Sequence, residues 1–121
     1  MIYYAEPSVG YDEIKAVNRV LKSKTLTQGN ETVRFERNFS KITKSKYAVS
    51  FNSCTSALIS ACASLNISSK DEVWTTPNTF VASSNSAILN GANIEFVDID
   101  SKTFNMNVHS LEKKLKKTKK N

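Results

Sequence analysis

From Tyr47 onward the chain alternates between two rhythms that few architectures accommodate. YAVSF (47–51) reads as a short strand, CTSALISACASL (54–65) as a helix, EVWTT (72–76) as a strand, FVASSNSAILN (80–90) as a helix and IEFVDI (94–99) as a strand. Strands separated by helices of about a dozen residues predict βαβαβ and a parallel sheet, because parallel neighbours need a crossover and not a tight turn. Gly91 stands where the second crossover helix should end, at the position where a left-handed cap is easiest. Asp71 and Glu72 simply feed the second strand. The class is therefore α/β.

Two helices are expected ahead of the strands. Ile14, Val17 and Leu21 recur at i, i+3, i+7, joined by Val20, with Asp12 and Glu13 at the positive end of the helix dipole; this helix should run to about Lys22. SKTLTQGNE (23–31) supplies Gly29 and Asn30 as turn formers, after which Phe35, Phe39 and Ile42 mark one face of a second helix. The chain thus divides into amino-terminal helices over 1–46, a βαβαβ region over 47–100 and a basic terminal helix over 101–121. Three strands make an incomplete sheet, and a crossover helix with no strand after it leaves a face exposed. The chain is expected to stop where another βα unit should begin.

Length and charge narrow the function classes. A chain of 121 residues with 40% hydrophobic content can build one domain with a real core. Of the net charge of +6, the last eleven residues, LEKKLKKTKKN, carry +5, so the basicity belongs to the tail. A solvated lysine face on a terminal helix, with Val108, Leu111 and Leu115 turned inward, accounts for it. No aromatic interleaves the lysines, which argues against single-stranded nucleic acid as a partner. The rival is a non-enzymatic module whose tail engages an acidic partner, and steep weakening with salt would distinguish it. Cys54 and Cys62, eight residues apart in one helix, lie roughly 12 Å apart, too far for a disulfide, and imply a reduced, cytoplasmic setting. MIYYAEPSVGYDE has no export pattern, and no long apolar run suits a membrane.

The junction FNSCTSAL (51–58) is where chemistry is expected. A helix opening directly after a strand presents unpaired N–H groups and a positive dipole end to an anion, and Ser53, Thr55 and Ser56 add hydroxyls. Neither GxxxxGK[ST] nor GxGxxG occurs, so this is no P-loop and no dinucleotide fingerprint. Serine and threonine are also ordinary N-caps, and from pattern alone both readings stand. Asp98 and Asp100 form a carboxylate pair at a strand end, where such residues more often cap a turn than catalyse. His109, the sole histidine, is expected on the surface, and no spacing suits a metal.

FNSCTSAL, DEVWTTPNTFVASSNSAILNGANIEFVDID and the opening YYAEPSVGYDEIKAVNRVLKSKTLTQG together resemble the amino-terminal part of the large domain of the DegT/DnrJ/EryC1/StrS sugar aminotransferases, of fold type I. The resemblance covers essentially the whole chain. It implies a pyridoxal 5'-phosphate cofactor, with Cys54 and Thr55 at its phosphate through backbone N–H and hydroxyl groups and Phe80 over its pyridine ring. Cys54 departs from the small residue more usual there, though its thiol is of similar size. Without the resemblance, Phe80 would read as a core phenylalanine opening a helix.

The resemblance further places Tyr4, Lys24, Thr25, Leu26 and Thr27 near a nucleotide-sugar substrate, often across a homodimer interface. Lys24 on a solvated turn is an equal reading. The segments are most similar to members that aminate a UDP-linked 4-keto-6-deoxy sugar with an amino donor such as glutamate. Such chemistry needs a lysine to hold the cofactor aldehyde and a carboxylate to keep the pyridine nitrogen protonated. In the family both lie further along than these 121 residues reach. No catalytic residue is therefore assigned here, and the chain alone is expected to be inactive unless a second chain supplies them.

Overall fold

A computed structural model describes residues 2–118, which fall into two compact units that divide after Ser50. The first unit carries α1 (Tyr11–Leu21) and α2 (Asn30–Thr43). α1 begins after Gly10, whose N–H donates to Glu13 Oε2 at 2.7 Å, so the first-turn acid closes an otherwise orphaned donor. α2 ends in a Schellman motif: Ser45 N–H donates to Ser40 O at 3.0 Å and Lys44 N–H to Lys41 O at 3.4 Å. This forces Lys44 to φ +56°, a left-handed conformation that a lysine adopts at some cost.

α1 ends within a residue of its expected limit, α2 starts at Asn30, inside the segment expected to turn, and neither buries a residue. Ile14, Val17 and Leu21 are more than half exposed, as are Val33 and Phe35, while the Phe35 and Phe39 rings meet at 5.9 Å. The periodicity marked an apolar stripe correctly, but nothing in the first unit covers it.

The expected strand Tyr47–Phe51 does not form. A strand exists only by pairing its N–H and C=O groups with a neighbour's, and here the donor at Ser50 is diverted. Ser50 N–H and Oγ both donate to Glu36 Oε1 at 2.8 Å, tying the segment to α2. These two bonds hold the Glu36 carboxyl below the usual range, the backbone donor contributing most.

The second unit carries α3 (Cys54–Ser64), β1 (Glu72–Thr75), α4 (Ala82–Ile88), β2 (Asn93–Phe96) and α5 (Val108–Lys117). β1 and β2 pair in parallel with Val73 opposite Ile94 and Trp74 opposite Glu95, so the crossover expected from the alternation is present with two strands rather than three. α4 is the centre of packing. Ala82, Ala87, Ala92 and Val97 form the buried apolar core, and Ser84 and Ser86 are buried beside them. Small side chains let α4 lie close to its neighbours: Asn90 Nδ2 reaches Ile59 O on α3 at 3.2 Å, and Cys62 Sγ lies 3.9 Å from Ser86 Oγ. Gly91 adopts φ +92° as expected, and its missing Cβ would stand 3.4 Å from Ser69 N.

α5 docks differently from the expectation. Val108 and Leu115 are 76% and 55% exposed, and Leu111 is half-buried. The side chain that reaches the sheet is Lys114: its ammonium donates to Phe96 O at 2.9 Å, pairs with the Glu95 carboxylate and stands 5.1 Å from the Trp74 ring centre. A lysine can lay its stem along a sheet and still place its charge on acceptors at the rim. The last three lysine-tail positions, 119–121, lie outside the described residues.

Candidate functional site

The turn that opens α3 is built from its serines. Ser53 is the N-cap, its Oγ accepting from Ser56 N–H at 3.1 Å, and Ser56 Oγ donates to Asn52 Oδ1 at 2.9 Å. Ala57 N–H is taken by Ser53 O at 3.1 Å. Cys54 and Thr55 are the first two helical residues, and among the described residues no acceptor engages their N–H groups. Cys54 is exposed and Thr55 half-buried. Ser53 thus caps the helix, which leaves the next two amides without a partner among the described residues and does not contradict the second reading.

Phe80 lies in the loop between β1 and α4 and is 75% exposed. Within the described residues nothing buries the ring, as a core phenylalanine would require. An uncovered aromatic face is open to stacking on a planar ring. Phosphate donors and a free aromatic fit pyridoxal phosphate in type, and both belong to the second unit. Asp100 acts as a turn cap, its Oδ1 accepting from Lys102 and Thr103 N–H at 3.0 and 2.9 Å, whereas among the described residues Asp98 Oδ1 accepts only from the adjacent Ile99 N–H. Those bonds, Thr103's first, hold the Asp100 carboxyl below its ordinary value. His109 is exposed, and the described residues contain no cluster able to hold a metal.

In the first unit, Lys24, Thr25 and Leu26 line a cavity of about 460 Å³ together with Arg19, Gln28 and Glu31. That volume falls within the usual range for small-molecule sites, roughly 300–1,000 Å³. Ser23 Oγ donates to Thr25 O at 3.0 Å, and Gly29 comes so near Thr25 that a Cβ would meet its carbonyl at 3.3 Å. Thr27 and Tyr4 are not among the lining residues, and Tyr4 is fully exposed. Sequence reasoning missed Arg19 and Glu31, two lining residues that pair with each other at 3.1 Å. Their positions in the last turn of one helix and the first turn of the next were the available signal.

Comparison with known proteins gives a consistent result. The DegT/DnrJ/EryC1/StrS aminotransferase family matches residues 7–121. Protein MJ1066 of Methanocaldococcus jannaschii is 45% identical over 106 residues, covering 88% of this chain and 28% of its own length. The UDP-4-amino-4,6-dideoxy-N-acetyl-beta-L-altrosamine transaminase of Campylobacter jejuni is 39% identical over 99 residues, covering 82% of this chain and 26% of its own. Spr1654 from Streptococcus pneumoniae, assigned as a sugar aminotransferase and solved in its PLP form, superposes with a TM-score of 0.88 at 33% identity, over 93% of this chain and 29% of that one. The chain thus spans somewhat more than a quarter of the length of these relatives.

Proposed function

Because the chain belongs to the DegT/DnrJ/EryC1/StrS aminotransferase family, we propose that it forms the amino-terminal part of a pyridoxal-phosphate-dependent enzyme that aminates a nucleotide-linked keto sugar. The observation that carries this reading is the opening of α3, where Cys54 and Thr55 offer two unengaged amides beside the Thr55 hydroxyl. These groups hold the cofactor phosphate; two backbone donors and a hydroxyl at a helix start suit a phosphate monoester. Phe80 orients the pyridine ring by stacking on its face. When bound, the cofactor supplies the aldehyde that carries the amino group from donor to acceptor. None of these 121 residues is assigned to covalent attachment of the cofactor or to pairing with its ring nitrogen.

The acceptor is a UDP-linked 4-keto-6-deoxy N-acetyl sugar and the donor is glutamate, in a route to surface polysaccharide or flagellin glycan such as pseudaminic acid. The name of the Campylobacter relative, with its 4-amino-4,6-dideoxy sugar, supports the acceptor. Lys24 neutralises the diphosphate as a point charge, with Thr25, Leu26 and Thr27 beside the sugar and Tyr4 contributing from the amino-terminal segment. The parent works as a homodimer in the cytoplasm. No helix among the described residues is long and apolar enough to cross a membrane.

The test is titration of the 121-residue chain with pyridoxamine 5'-phosphate and with pyridoxamine, neither of which condenses with surface lysines. Binding of the phosphate ester alone, weakened in Thr55→Val, is the expected result. Equal binding of both compounds would overturn the phosphate assignment. Mixed with pyridoxal phosphate, glutamate and the keto-sugar nucleotide, the chain by itself is expected to give no amino sugar; turnover would refute the absence of catalytic residues.

A further inference from the structure

The loop Lys22–Gly29 joins the last turn of α1 to the first turn of α2 and carries the residues assigned above to the nucleotide sugar. Its two ends are bridged. Arg19, in the last turn of α1, pairs with Glu31, in the first turn of α2, at 3.1 Å. Each charge stands where the dipole of its own helix favours it, a cation at a carboxyl end and an acid at an amino end. Arg34 stands 3.6 Å from the second oxygen of the same carboxylate, so Glu31 faces two guanidinium groups. Arg19 and Glu31 also line the 460 Å³ cavity with Lys24, Thr25 and Leu26. The span they close is otherwise held by the Ser23–Thr25 bond and the near approach of Gly29 to Thr25.

We propose that Arg19 and Glu31 are positioning residues: their ion pair closes the base of the Lys22–Gly29 loop and so presents Lys24 to a diphosphate. The pair has a second consequence for charge. Glu31 is neutralised by two arginines, whereas Lys24 has no ion-pair partner among the described residues. A carboxylate that would repel an anionic substrate is thereby quieted while the loop keeps an uncommitted cation. The part of this inference that concerns ligand rests on the nucleotide-sugar reading; the part that concerns loop geometry does not.

The experiment compares the 121-residue chain with Arg19→Glu, Glu31→Arg, the double exchange of both, and Arg19→Lys, confirming by circular dichroism that each retains its helices. Two quantities are measured: amide hydrogen exchange at 24–27 and the affinity for UDP. Exposed ion pairs give small effects, so each single reversal is expected to speed loop exchange and weaken UDP by roughly two- to five-fold. The double exchange should recover most of both losses, with Arg34 left as a like-charged neighbour of the new arginine, and Arg19→Lys should stay near the parent. Arg19 acting as a direct phosphate ligand would leave the double exchange as poor as Arg19→Glu, and that result overturns the positioning role. Loop exchange unchanged by either reversal overturns it as well. Exchange that follows the expected pattern in a chain that fails to bind UDP would uphold the clamp and refute the nucleotide-sugar reading.

Discussion

Replacing Lys114 by methionine keeps the stem that lies along the sheet and removes only the charge. In the parent the ammonium donates to Phe96 O at 2.9 Å, pairs with Glu95 and stands 5.1 Å from the Trp74 ring. Taken singly, a cation over an indole contributes about 0.5–1 kcal/mol at an exposed site, and an exposed ion pair about 0.2–1 kcal/mol. A hydrogen bond from a charged donor adds about 1.5 kcal/mol at the low end, appropriate because the Lys114 side chain is 29% exposed and water competes for it. One ammonium serves all three partners, so the contributions do not add fully and a loss of about 1.5 kcal/mol is expected. With a urea slope of about 1 kcal/mol/M for so small a unit, the midpoint should fall by roughly 1.5 M. The chain has a single tryptophan, so emission during urea unfolding reports directly on the surroundings of Trp74. Lys114→Arg, which keeps the charge and stacks on an indole, should recover most of the shift. A methionine variant whose midpoint moves by less than about 0.3 M, with unaltered Trp74 emission, would show that α5 does not depend on this contact.

Two further outcomes follow from the local geometry. Lys44→Gly relieves a side chain at φ +56° in the α2 Schellman motif and should stabilise the first unit by about 0.5–1 kcal/mol, read as a higher thermal midpoint of helix ellipticity. No change, or a loss, would mean that the lysine stem contributes packing that outweighs the strain. Asp100 and Glu36 have folded pKa values below their unfolded ones because backbone N–H groups donate to the charged form. Their contribution is fully present above the unfolded carboxyl range, about pH 4, and is lost as pH falls through the lower folded values. Stability should hold between pH 7 and 5 and drop in acid, and Asp100→Asn should flatten part of that drop; an unaltered acid limb in this variant would refute the capping role.

Where a signal is local, the sequence was sufficient. The extent of α1, the apolar stripe of α2, the N-cap at Ser53, the left-handed Gly91 and the turn-capping role of Asp100 depend on residues within a few positions of one another. The parallel pairing of β1 and β2 was also legible, because a crossover helix leaves little choice of direction. FNSCTSAL showed in the same way that a helix opens at Cys54, while the choice between cap and anion site stayed open in the pattern.

Only the tertiary structure decided what each element meets. Tyr47–Phe51 has strand composition, yet Glu36 takes the Ser50 donors and no ladder forms. The heptad-like spacing of Val108, Leu111 and Leu115 marks an apolar stripe, but the surface on offer is a strand rim with a carbonyl, a carboxylate and an indole, and Lys114 satisfies all three. Phe80 and the Arg19–Glu31 pair are further cases: whether a ring is covered, or a cation finds an acid twelve residues away, depends on how elements approach one another. Periodicity and capping are written into neighbouring residues, whereas burial and pairing are properties of contacts between distant ones, which no short stretch contains.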